Sequence, residues 1–216
     1  MHRRWWRAGA LGICLAIAPA GADELRTSFE AGVRVGLAFP VGDIAQDSAL
    51  VDSIAWSVPL QIDAGARIGP AFVGGYFSYA FGKAGNKLDN LSSKSASDVR
   101  VGFEVLWHFA PGATVDPWAG LGIGYEWLNF SAPVGTSTVS VSVRGFEFVN
   151  AQAGLDFTLG SLFRIGPYLT ASLGQYATGS GDITGTTGGT VSGTSDIQNK
   201  RLHSWISVGL RVALVL

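Results

Sequence analysis

The chain is short of sulfur and of charge. It has one cysteine, Cys14, and one methionine, Met1, and only 14% of its residues are charged. Both sulfur residues fall within the first 22, so the remainder can form no disulfide and must be held by backbone pairing and packing. The charges show no basic excess (15 Lys+Arg against 16 Asp+Glu), so nothing marks a nucleic-acid partner. With three histidines and no metal-ligand spacing, no metal or other cofactor is expected. Past residue 25 there is also no long amphipathic helical pattern. What the chain has in quantity is glycine (30 residues) and apolar side chains (47%), an unusual mixture for a soluble protein.

The only long apolar stretch is N-terminal. Arg3, Arg4 and Arg7 precede the run from Ala8 to Ala18, followed by Pro19, the small residues Ala20-Gly21-Ala22, and then Asp23-Glu24. A basic start, a short apolar centre and a small-residue site define a secretory signal peptide. The apolar stretch falls well short of the roughly 20 residues a spanning helix needs. Residues 1–22 are therefore expected to be removed, leaving one domain, 23–216, which is acidic overall because three basic residues leave with the signal.

Beyond the signal, apolar residues recur at every second position, the period of a strand. Eight segments carry it: 29–39, 54–68, 71–82, 99–109, 118–130, 139–159, 163–177 and 202–216. Segment 99–109 is the clearest, with Val99, Val101, Phe103, Val105, Trp107 and Phe109 opposed by Arg100, Gly102, Glu104, Leu106 and His108. The connections alternate between long (40–53, 83–97, 131–138, 178–201) and short (69–70, 110–116, 160–162). Glu147, between Phe146 and Phe148, breaks the phase of its segment and predicts a bulge there or a position above the hydrocarbon. The stretch Gly179–Asp196 is low in complexity and reads as a mobile loop or a hairpin beyond the membrane.

Alternation alone does not say which face is inside. Three features choose. Phe39, Trp56, Tyr79, Phe81, Tyr125 and Trp127 gather toward the long-loop ends of the segments, and Phe29, Trp107, Phe109, Phe157 and Phe163 toward the short-turn ends. Two such belts are where amphipathic rings meet lipid headgroups. The opposite face carries glycines and the charges Glu30, Arg34, Asp63, Arg67, Arg100, Glu104, Glu126, Asp156 and Arg211, which suit a narrow lumen and would have to pair there. The final segment ends as a strand, which a closed barrel accommodates by pairing it with the first. The expectation is an all-β, antiparallel, up-and-down transmembrane β-barrel of about eight strands, with long loops at one end and short turns at the other.

On these residues the chain resembles the small eight-stranded outer-membrane barrels of Gram-negative bacteria, the OmpA/OmpX/OmpW-like superfamily. The most specific match is terminal: a polar residue, a glycine two positions later and then alternating hydrophobics, here Ser207, Gly209, Val212 and Leu214, with Leu216 where the family usually ends in an aromatic. The resemblance implies outer-membrane lipid around the barrel and recognition of this terminal signal by the barrel-assembly machinery. A monomer is expected.

No enzymatic motif emerges. His203 and Ser204 are adjacent on a strand and so face opposite sides, which keeps this imidazole from activating this hydroxyl. His108 has carboxylates on its face but no matching nucleophile. An eight-stranded lumen is just wide enough for side chains to fill, so a porin-like water-filled pore is not expected. The reading favoured is a structural or surface-interaction protein acting through its loops, its ligand unspecified. The alternative is an OmpW-like carrier of small hydrophobic molecules, which would need an apolar lumen mouth; Phe72, Leu106, Trp118, Tyr168 and Trp205 are the candidates. A lipid-modifying enzyme ranks third.

Overall fold

The structure is a computed structural model that describes residues 27–85, 95–134, 136–184 and 189–216. The expected signal peptide lies outside the described residues. Ten strands and one helical turn follow in order: β1 (Thr27–Ala45), β2 (Ser48–Ala49), α1 (Leu50–Ser53), β3 (Ile54–Ile68), β4 (Ala71–Ala84), β5 (Ser95–His108), β6 (Val115–Val134), β7 (Ser137–Leu159), β8 (Phe163–Thr184), β9 (Thr190–Asp196) and β10 (Leu202–Val215). Among the described residues no helix is long and apolar enough to cross a membrane.

Eight of the strands form a closed antiparallel ring, β1-β3-β4-β5-β6-β7-β8-β10, with β10 pairing back onto β1. Closure runs along the full length of β10, from Gly42↔His203 to Glu30↔Val215, and is fastened by the exchange of two hydrogen bonds between Phe29 and Leu216, 3.0 and 2.8 Å. The accessory strand β2 pairs only with β1. Because the side-chain period is two, this register puts the alternating apolar row of each strand on one side. That side is the outside. Val33, Val35 and Leu37, Val101, Phe103 and Val105, and Val208, Leu210 and Val212 are all exposed, while Arg34, Glu104, Asp63 and Arg211 are at most 2% exposed.

Turn chemistry fits the short end. Gly69 sits at φ +58 in the two-residue link between β3 and β4, and Gly160 at φ +68 between β7 and β8, conformations that L side chains rarely adopt. Glu147 marks a bulge, as its broken phase suggested. The β7–β8 register slips between Glu147 and Val149, so Phe146 and Phe148 stay outside, Glu147 points inward, and the outward set switches to Ala151, Ala153 and Leu155.

Three connections are shorter than the sequence suggested. Residues 131–138 are not a long loop: β6 runs to Val134 and β7 starts at Ser137. Much of 178–201 is likewise paired, Thr178↔Asp196 through Thr184↔Thr190, so the low-complexity stretch is largely a hairpin. Of 40–53, β1 takes residues up to Ala45 and α1 takes the last four. Residues 131–138 and 178–201 are rich in Ser, Thr and Val, whose β-branched members favour strands, yet they lack the apolar alternation that betrays a half-buried one.

Candidate functional site

At 20, 23 and 22 residues, β6, β7 and β8 are about twice the length a tilted bilayer crossing requires. Their excess projects at the loop end as a sheet that β9 extends. One face of this sheet is apolar. The registered row Ala132–Val139–Ile183–Val191 crosses all four strands, and the next two rows bring Phe130 beside Val141 and Leu128 beside Val143. The other face is hydroxyl-rich, with Ser131 and Ser140 in hydrogen-bond contact at 2.9 Å and Thr184 and Thr190 at 3.2 Å.

Beneath this projection the lumen is filled in layers. Toward the turn end Arg34 contacts Asp63 through Nε (3.0 Å, an ion pair without hydrogen-bond alignment), donates to Glu104 at 2.6 Å and also donates to Gln152. Gln152 in turn donates to the second oxygen of Glu104 at 2.8 Å. Arg211 donates to Glu30 at 2.6 Å and to Asp156 at 2.8 Å, and Arg67 bridges Glu30 (3.1 Å) and Asp116 (3.2 Å). Asp116 also receives Arg164 at 3.1 Å and faces His108 Nδ1 at 3.0 Å. The guanidinium groups of Arg34 and Arg211 lie 5.5 and 5.4 Å from the ring centre of Trp118, whose indole N–H donates to Asp156 at 3.1 Å. Phe72, Leu106, Trp118 and Tyr168 pack together as the apolar filling of this half.

Toward the loop end a second polar layer surrounds Glu126. It accepts from the Tyr176 hydroxyl, from Trp205 Nε1 at 3.0 Å, and faces His203 Nε2 at 3.0 Å, with His203 and Tyr176 stacked 4.0 Å apart. Arg100 pairs with Asp98 at 2.6 Å and lies 3.8 Å from Glu126 and 4.0 Å from Glu147. Above it, Leu50 of α1 enters the mouth and packs with Ile44, Ile54, Leu128, Val143, Tyr176 and Trp205. Tyr76 reaches Glu147 at 3.4 Å across the two inward glycines Gly102 and Gly124, where an added Cβ would meet its ring or hydroxyl within 2.7 Å and 2.3 Å.

All nine charges assigned to the lumen from sequence are inside, and the structure divides them. Glu30, Arg34, Asp63, Arg67, Glu104, Asp156 and Arg211 share the turn-end layer; Arg100 and Glu126 belong to the other. Asp98, Asp116 and Arg164, which the sequence did not single out, and Glu147, singled out only as a break in phase, complete these networks. Asp98 shares its face with Arg100 two residues on, a signal that was available; Asp116 sat in a presumed turn, and Glu147 is brought inside only by the bulge. The belt residues lie on the outer face, nine of the eleven exposed; Tyr125 and Trp127 are half-buried against each other and Tyr125 against Phe146. Of the terminal residues, Ser207 and Gly209 face the lumen and Val212 the outside. Gly209 lies opposite Gly36, and a Cβ on it would approach Val35 O to 2.1 Å, so that glycine is needed for wall packing in its own right. His203 is buried toward Glu126, so its partner is a carboxylate.

No family model matches the chain, and no curated protein does so either. Solved structures do. A major outer membrane protein from Thermus thermophilus aligns over 87% of this chain and 99% of its own, at 12% identity and a TM-score of 0.56. Neisserial surface protein A aligns over 87% and 96%, at 12% identity and TM-score 0.46. The N-terminal barrel domain of Pseudomonas aeruginosa OprF aligns over 88% and 97%, at 14% identity and TM-score 0.41. At 12% identity the first of these likenesses speaks to architecture alone, and with the closed ring of eight strands and the inverted faces described above it gives one conclusion: this chain has the fold of a small eight-stranded outer-membrane β-barrel.

Proposed function

We propose that the protein is an integral outer-membrane barrel that does not conduct and that acts through its loop end, as a structural or surface-interaction protein. The observation that carries this reading is the inversion of the fold: an apolar, aromatic-belted exterior surrounds a lumen filled with paired charges. Such an exterior is stable only in lipid, and such a lumen leaves no continuous water path. The projecting sheet β6–β9 is the part of the molecule available to a partner. The chain is read as non-enzymatic because, among the described residues, each lumen histidine bonds a carboxylate through one ring nitrogen and no hydroxyl through the other. Assembly by the barrel machinery through Ser207, Gly209, Val212, Leu214 and Leu216, and a monomeric state, belong to the same reading.

The carrier alternative needs an apolar mouth. Its five candidate residues are divided between the two packed clusters, Trp205 at the loop end and the other four at the turn end, each at most 5% exposed. The large apolar depression of this molecule, about 1010 Å³, lies instead on the outer wall, where Ala31, Ala64 and Gly75 are flanked by Phe77, Phe103 and Phe146. Acyl chains would fill it.

Planar-bilayer recording of the refolded protein tests the proposal. A silent bilayer in the presence of inserted barrel is expected. Stable, ion-selective channels would overturn the closed-lumen reading.

A further inference from the structure

Between the two lumen layers lies a small polar chamber lined by Ser57, Gln61, Tyr76, Asp98, Arg100 and Asn150 among others, about 20 Å³ in volume. That is room for roughly one occupant the size of a water molecule. Four polar atoms of its lining have no hydrogen-bond partner among the described residues: Ser57 Oγ, Asp98 Oδ1, Asn150 Oδ1 and Arg100 Nε. Ser57, Asp98 and Asn150 are 1%, 2% and 6% exposed, so bulk water does not serve them. A buried carboxylate oxygen left without a partner carries its full desolvation penalty.

The charge around the chamber is unbalanced. The loop-end layer contains the carboxylates of Asp98, Glu126 and Glu147 and one guanidinium, Arg100. Even with His203 counted as a cation, one negative charge remains over. Counted without its histidine, the turn-end layer sets four arginines against five carboxylates, an excess of one where the loop end has two. A water molecule could satisfy the four chamber atoms, yet it would leave the charge where it is. A cation does both for the oxygens.

We propose that this chamber is a binding site for one monovalent alkali cation, coordinated by Asp98 Oδ1, Asn150 Oδ1 and Ser57 Oγ. The donors are all hard oxygens, which suit alkali and alkaline-earth ions over softer metals. Among the described residues no three carboxylate, imidazole or thiol groups converge to make a divalent-metal cage, and Arg100 beside the site disfavours a second positive charge. The ion enters during folding, because packed side chains lie toward both ends of the lumen.

The test is refolding from urea into detergent in NaCl, KCl or choline chloride at equal ionic strength, followed by urea unfolding in the same salt. Choline is too large for the chamber. The midpoint is expected to be higher in Na⁺ or K⁺ than in choline, the shift saturating with salt concentration. Asp98→Asn is expected to abolish that difference, and Asp196→Asn, on exposed β9, to leave it intact. If Asp98→Asn does not refold, Ser57→Ala serves, with a reduced difference expected. Equal midpoints in all three salts would mean that water or a proton satisfies the chamber, and the proposal fails. It fails equally if the difference persists unchanged in Asp98→Asn or, where that variant does not refold, in Ser57→Ala.

Discussion

The two halves of the lumen bury charge in different ways. At the turn end Arg34, Arg67, Arg164 and Arg211 meet Glu30, Asp63, Glu104, Asp116 and Asp156, several of the guanidiniums shared between two carboxylates. At the loop end one guanidinium serves three carboxylates, and the rest of the satisfaction comes from the hydroxyls of Tyr76 and Tyr176, the indole of Trp205 and the imidazole of His203. The first arrangement resembles a salt lattice, the second a carboxylate cage. The contrast teaches that a narrow lumen can be filled without being neutral at every level, provided each oxygen finds a donor or an ion.

Breaking the lattice should have the largest effect. Arg211→Ala leaves Glu30 with Arg67 and Asp156 with the Trp118 N–H, takes from both their shortest charged contact, 2.6 and 2.8 Å, and removes the nearby charge from Asp63 at 3.6 Å. The expected loss is about 3–5 kcal/mol, as for other buried pairs deprived of one partner, read by urea unfolding in detergent. The barrel should still insert, since no lipid-facing residue has changed.

Charge placed on the other side of the wall comes next. Leu169→Arg or Leu121→Arg is expected to cost about 2–4 kcal/mol near mid-membrane, visible as reduced heat-modifiable folded protein on gels. An unchanged folding yield would mean that these leucines do not face lipid.

A matched pair of isosteric changes sharpens the contrast between the layers. Asp156→Asn weakens a charged hydrogen bond to Arg211 and should lose about 1.5–3 kcal/mol. Asp98→Asn relieves an excess of negative charge and should change stability in choline by less than about 1 kcal/mol, within the ordinary spread for mild substitutions. Equal losses in the two variants would erase the distinction between lattice and cage. The smallest effect is expected at Gly193→Arg in β9, where an added Cβ meets nothing within 4 Å; the change should stay within about 0.5 kcal/mol.

The ring was legible because Phe29–Phe39 and Val99–Phe109 alternate almost without fault, and a half-lipid strand cannot hide that period. The inside-outside assignment was legible for a second reason: Trp107 and Phe109 end one strand at the same level as Phe29, Phe157 and Phe163. The sequence leaves the projecting sheet open between a mobile loop and a hairpin because Thr190–Asp196 is exposed on both faces, and such a strand imposes no apolar alternation on its sequence. The layering of the lumen was hidden for a different reason. Arg34 and Glu104 are 70 residues apart in sequence, and only shear and register bring them into one layer. Strand periodicity says that both point inward and leaves their partners open. The role of Glu147 turned on a bulge, which inverts a phase that the sequence otherwise keeps.

The central claim is that the exposed apolar face meets lipid while the charged face is sealed inside. The mature chain would contain no cysteine, so a single Leu169→Cys can carry a nitroxide without background labelling. In liposomes, relaxation of that label should be enhanced by oxygen, which concentrates in the bilayer, and barely changed by a water-soluble nickel complex. A label at Gly193→Cys should respond in the opposite sense. Strong relaxation of the Leu169 label by the nickel complex would contradict the account.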